Sequence, residues 1–187
     1  DYSGGIATDL NYHIVAPFHV ALQNDHPTRV SGMGGLWVYH DGRETPDTFL
    51  NSADYPGKYN ITIISSQVNE IGPVTLVRGT EGTIHLGDEW EGPQGRDIDY
   101  ARIVPDTPFK KDFQLKWGKD EMIVTGVGNE GDQKHMDNFF DCVHSRQQPN
   151  CHADLGYKVM THIALSVRGF RENKMFRYDA ETGNVMG

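Results

Sequence analysis

The chain has 187 residues and a formal net charge of -9 at pH 7, with a pI near 5.4. Lys110-Lys111 is its one adjacent basic pair, so the clustered cations that neutralise phosphates are missing and nucleic acid is excluded as the expected partner. A hydrophobic share of 37% and a charged share of 23% fit one soluble globular domain with a sizeable core, and no apolar run approaches the roughly 20 residues that span a bilayer.

The first stretch, DYSGGIATDLNYHIVAPFHV, opens on the paired glycine Gly4-Gly5. Residues 5–22 carry Ile6, Leu10, Ile14, Val15, Phe18 and Leu22 at three-and-four spacing, which predicts a helix with one buried stripe. Pro17 falls inside it and is expected to kink or divide it near residue 16. His19 and His26 flank the helix end, where the dipole favours an imidazolium.

Short segments rich in β-branched and aromatic residues follow, cut by Gly, Pro and Asp. They predict strands at Arg29–Tyr39, Thr48–Ala53, Tyr59–Gln67, Val74–Arg78, Thr83–Leu86 and Tyr100–Val104. In KYNITIISSQVN both alternating faces hold apolar atoms, so this strand is expected at the centre of its sheet. The string RGTEGTIHL reads as a hairpin whose glycines supply positive φ. DGRETPDTF, residues 41–49, reads as a polar connection ahead of a strand, of the kind that can also line a ligand site. Residues 105–121 give no clear pattern.

Two helices are predicted at Gly131–Ser145, with Asp132 as N-cap, and at Asp154–Glu172, with Asp154 as N-cap. In the second, His162 sits in an apolar stripe and reads as a satisfied core histidine. A last strand is predicted at Met175–Tyr178. Helix, then strands, then helices points to an α+β domain. Cys142 and Cys151 read as reduced thiols. The nearby His135, His144 and His152 lack the spacing of a zinc site, and no metal ligand is assigned. There is no charged-then-apolar start of the secretory kind, and the expected compartment is the cytoplasm.

Chemistry centres on Asp9 and His13. Four residues apart on a helix, they share one face about a turn apart. A carboxylate beside an imidazole is a common way to hold a proton-transfer group in one orientation. By spacing alone such a pair is more often a surface or capping pair than a catalytic one.

Taken together, GGIATDLNYH, GTEGTI and HMDNFFDCVHSRQQPN occur in an order that resembles the C-terminal domain of the glucose–fructose oxidoreductase / inositol dehydrogenase (Gfo/Idh/MocA) family across nearly the whole chain. The resemblance implies an α+β domain with a large open, mostly antiparallel sheet and helices packed on one face. It implies a substrate-binding and catalytic-base domain, residues 1–187, of a two-domain NAD(P)-dependent oxidoreductase acting on a sugar, polyol or related hydroxyl compound. NAD or NADP would be bound mainly by the N-terminal domain, which is absent here, so no cofactor-binding residue is assigned.

Asp9 matches the motif aspartate that hydrogen-bonds substrate, and His13 the motif histidine that takes the hydroxyl proton. The third catalytic residue, a lysine in a Glu-Lys-Pro motif, belongs to the other domain. Asn11 stands where the family often has glycine, and Ala16 where it often has aspartate. The alternatives are a non-catalytic oligomerisation or carbohydrate-binding module and, within the family, redox-assisted glycoside cleavage. A homo-oligomer through the open sheet face is the expected partner arrangement.

Overall fold

The computed structural model describes residues 3–23, 25–69, 72–86, 100–125 and 131–187. Two compact units emerge, one from Asp1–Gly72 with Cys151–Gly187 and one from Pro73–Asn150. In chain order the first unit contributes α1 (Ile6–Leu22), β1 (Arg29–Gly35), β2 (Thr48–Tyr55) and β3 (Tyr59–Ser66). The second follows with β4 (Thr75–Arg78), β5 (Gly82–Leu86), β6 (Tyr100–Pro105), a 3-10 turn leading into α2 (Lys110–Trp117), β7 (Met122–Thr125) and α3 (Gly131–Ser145). The chain then returns to the first unit through α4 (Ala153–Glu172), β8 (Phe176–Tyr178) and β9 (Val185–Met186).

The fold is α+β, and every described strand pairing is antiparallel. Among the described residues the strands form two sheets, ordered β3-β2-β1-β8-β9 and β4-β5-β6-β7. No helix among the described residues is long and apolar enough to cross a membrane.

In the first unit the period-two rule is clearest in β2, where Phe49, Asn51, Ala53 and Tyr55 are buried and alternate with half-buried Thr48, Leu50, Ser52 and Asp54. The buried face packs on the helices. Phe49 meets Ile6, Ala7 and Val167, while Ala53 and Tyr55 join Val30, Leu165, Phe176 and Tyr178. Val15 of α1, Ile63 of β3 and Val159 and Ile163 of α4 close the core. Each such side chain contributes about 1.5–3 kcal/mol on burial.

Close approach of α4 to β1 needs glycine. A Cβ on Gly32 would collide with the Ser166 carbonyl oxygen, and one on Gly169 would lie 3.3 Å from the Gly32 nitrogen.

Several expectations are corrected. The strand β3 lies at the sheet edge; its apolar Ile64, 45% exposed, belongs to the uncovered face and not to a second buried one. One helix runs through Pro17 without division, although the missing N–H leaves the His13 carbonyl without its helical donor. The cap of α4 is His152, whose Nδ1 accepts from the Leu155 amide at 3.3 Å, and Asp154 sits in the first turn. Asp132 likewise lies inside the first turn of α3.

The hairpin at residues 78–83 closes with Gly79 N donating to Gly82 O at 2.8 Å, but neither glycine has positive φ. Gly82 is needed for space, since a Cβ there would lie 2.5 Å from the Val104 carbonyl oxygen of β6. The elements α2, β7 and β9 lie outside the predicted set.

Candidate proton-transfer site on the first helix

Helix α1 starts at a backbone position that only glycine adopts readily. Gly5 has φ 61° and its Cα faces Thr45 so closely that a Cβ would lie 2.6 Å from the threonine Cβ. The Gly5 carbonyl receives the Thr8 and Asp9 amides, each at 3.1 Å, and Thr8 Oγ1 accepts from Gly4 N at 3.2 Å. The paired glycine therefore fixes where the helix begins and how it is rotated.

That rotation sorts the side chains. Ile6, Ala7, Asn11, Val15 and His19 are buried, whereas Asp9 and His13 are exposed on the opposite side of the helix, as 100° per residue requires. Asp9 lies in the first turn, where the helix dipole favours negative charge. Neither side chain has a hydrogen bond or ion pair within the described residues, and the His13 ring stands edge-on to Tyr12 with centroids 6.3 Å apart. The pair is thus one turn apart, facing solvent, with its polar atoms free to meet a bound molecule.

Two anchors hold the helix beneath the pair. Asn11, fully buried, accepts from Ser65 Oγ of β3 at 2.7 Å, so the asparagine that departs from the family pattern ties α1 to the sheet edge. Tyr12 reaches Cys151 Sγ at 3.5 Å; that contact and then burial push its hydroxyl up to about 12.

Farther along α1 a polar chain crosses the core. His19 Nε2 lies 3.2 Å from Tyr55 Oη, Tyr55 Oη 3.1 Å from His162 Nδ1, and His162 Nε2 2.8 Å from Asn51 Oδ1. The chain joins α1, β2 and α4, and all four side chains are at most 3% exposed. Burial, reinforced by Lys158 and His26, lowers His19 to about 4, and burial then His19 lowers His162 to about 3. His19 is therefore a neutral core residue, against the expectation of a helix-end imidazolium: removal from water outweighs the dipole. His162 is the satisfied core histidine expected of it. Tyr55 and Asn51 were missed, because nothing local in a strand marks an inward polar residue as paired.

Neither a family model nor a curated protein matches this sequence. Solved structures share its architecture. An NAD-binding protein from Listeria innocua superposes with a TM-score of 0.66 at 16% identity, over 93% of this chain and 51% of that one. The aldose-aldose oxidoreductase from Caulobacter crescentus, complexed with glycerol, gives 0.67 at 17% identity, over 93% of this chain and 48% of that one. At these identities the likeness is one of fold. The chain spans about half the length of the structures it matches.

Within this fold the other sequence candidates serve structure. Asp47 of the DGRETPDTF segment is fully buried, and its Oδ2 receives the amides of Trp37, Val38 and Tyr39 at 2.9, 2.7 and 3.2 Å. These bonds hold its carboxyl below the usual range, the Val38 amide foremost. Asp41 is lowered to about 2 by its Arg43 partner. His26 bonds Thr161 Oγ1 at 3.2 Å and is lowered chiefly by burial, so it too departs from the imidazolium expectation. Cys142 and Cys151 are free thiols, and no three metal-binding side chains come together among the described residues.

The string Gly126-Val127-Gly128-Asn129-Glu130-Gly131 has the spacing of a dinucleotide-binding fingerprint. Its first five residues lie outside the described ones. The context does not fit a nucleotide: the fingerprint works inside a parallel βαβ unit, whereas β7, which precedes it, pairs antiparallel with β6.

Proposed function

We propose that this chain is the substrate-facing, proton-transferring part of an NAD(P)-dependent oxidoreductase acting on a sugar, polyol or related hydroxyl compound. The observation that carries the reading is the Asp9–His13 pair, one turn apart and solvent-facing on α1, in a fold shared with oxidoreductases. The glycerol bound by the Caulobacter crescentus enzyme and the NAD of the Listeria innocua protein support the hydroxyl substrate and the nicotinamide.

In this reading a substrate hydroxyl sits against His13, whose imidazole nitrogen takes the proton as the carbon beneath is oxidised. Asp9 accepts a hydrogen bond from a neighbouring hydroxyl or from the imidazolium that forms, and so orients the carbon toward its hydride acceptor. The acceptor would be NAD or NADP.

The face of the first sheet turned away from the helices carries the row Met33–Leu50–Ile64 in direct register, with Met33 62% exposed. That row suits a second copy of the chain and is the proposed oligomer contact, to be read by sedimentation.

The test uses the complete protein with each nucleotide and a panel of sugars and polyols. Asp9→Asn and His13→Ala should each lower turnover sharply while nucleotide affinity changes little. Wild-type turnover in the His13 variant would remove this residue from the mechanism.

A further inference from the structure

With the Asn51 carboxamide oxygen toward His162 and its Nδ2 unpartnered among the described residues, the buried polar chain orders its protons in one direction. Asn51 Oδ1 can only accept, so His162 Nε2 carries a proton and donates to it. A neutral His162 then has a lone pair at Nδ1, which Tyr55 must fill with its single hydroxyl proton. The Tyr55 oxygen is left as an acceptor, and His19 Nε2 donates to it. His19 Nδ1 ends the chain as a buried lone pair with no partner among the described residues.

An additional proton upsets this order. Protonating His162 would reverse its bond with Tyr55 and turn the hydroxyl proton toward His19 Nε2, and protonating His19 would leave a buried Nδ1–H with no partner among the described residues. The surroundings reinforce the exclusion. From α4 Lys158 faces His19, and from the segment after α1 comes His26, both raising the cost of a positive charge. Asp25 is engaged by Lys158 at 3.8 Å. From β2 and β3 come Tyr55 and Tyr59, stacked with centroids 5.2 Å apart, which stay uncharged near neutral pH.

The position of His19 decides what gives way. It lies two residues beyond Pro17, where α1 lacks one backbone bond, and its neighbours Val20, Ala21 and Leu22 are exposed. We propose that the His19–Tyr55–His162–Asn51 chain is an acid-released latch: it clamps the last turn of α1 to β2 and α4 while both imidazoles are neutral, and proton uptake at His19 frees the Phe18–Leu22 turn beyond the Pro17 hinge. The latch acts on the helix that bears Asp9 and His13, and only its consequence for them rests on the proposed function; the latch itself is read without any activity.

The experiment is amide hydrogen exchange on the full chain between pH 7.5 and 4.5, corrected for the intrinsic rate. The open population of Phe18–Leu22 should rise about tenfold per pH unit for each proton taken up below about pH 6.5, while Val30–Gly34 of β1 stays far better protected, since it opens only with the whole fold. His19→Gln keeps an N–H for Tyr55 but cannot be charged, and its pH slope should be lower by one proton. A flat wild-type profile, an equal slope in the variant, or protection of Phe18–Leu22 as high as that of β1 would each overturn the latch. If the variant does not fold, nitrogen NMR of the wild type at pH 6.5 decides: neutral Nε2–H rings at both histidines support it, and a charged or Nδ1–H ring at either overturns it.

Discussion

His162 Nε2 donates to Asn51 Oδ1 across 2.8 Å in the middle of the core, with the two residues 0% and 3% exposed. A bond so placed is expensive to break from one side only, because the abandoned partner cannot turn to water. His162→Phe preserves the ring volume but strips Asn51 of its donor and Tyr55 of its acceptor. Each orphan costs about 1–3 kcal/mol. The midpoint of urea unfolding should fall accordingly, and an unchanged midpoint would show that the network does not hold the elements together.

Stability should also depend on pH in a defined direction. Burial lowers His19 to about 4 and His162 to about 3 in the folded state, against about 6.5 when unfolded. A depressed histidine takes up its proton more readily in the unfolded chain, so the folded state is undiminished above about pH 6.5 and loses ground as pH falls through the interval down to the folded values. The lowered carboxylates Asp41, Asp47, Asp54 and Asp179 act only at more acid pH. A urea midpoint that declines between pH 6.5 and 4.5 is therefore expected of the histidines; a level one would contradict their neutral burial.

Gly32→Ala tests the approach of α4 to β1. The added methyl group meets the Ser166 carbonyl oxygen, a backbone atom that cannot swing aside. A loss of about 1–3 kcal/mol is expected, as for other overpacked sites. Thermal unfolding measures it, and a variant as stable as the parent would show that the helix lies farther from the sheet.

Asp47→Ala removes the carboxylate that gathers three successive amides. Exchange at Trp37, Val38 and Tyr39 should speed up selectively, since their acceptor is gone while the flanking strands keep theirs. Unaltered protection at these three amides would contradict the role given to Asp47.

How much of this was legible in the sequence follows from range. Helix α1 depends on neighbours a few residues apart and showed in the spacing, but the side it buries did not: Leu10, Ile14 and Leu22 of the expected stripe are 49%, 38% and 47% exposed, and Ala7, Asn11 and His19 are buried instead. The edge position of β3 did not show, because apolar Ile64 looks the same whether a second layer covers it or open solvent faces it. Helix α2 was hidden for a similar reason: Leu115 and Trp117 are 78% and 49% exposed, so KKDFQLKW has no buried stripe to reveal it. The pairing of residues 19, 55, 162 and 51 depends on three elements meeting, and no local pattern encodes that. Asp9 and His13 were visible as a pair, and the structure adds the side of the helix on which they stand.

Under the proposed function His13 receives a proton from a substrate hydroxyl. The most direct measurement of that transfer is the turnover of the complete His13→Ala protein with and without added imidazole. A loss of about 10²–10⁴-fold, the usual contribution of a general base, partly restored as imidazole is raised, is the expected result. Turnover equal to the parent, or a loss that imidazole leaves untouched while Asp9→Asn remains fully active, would contradict it.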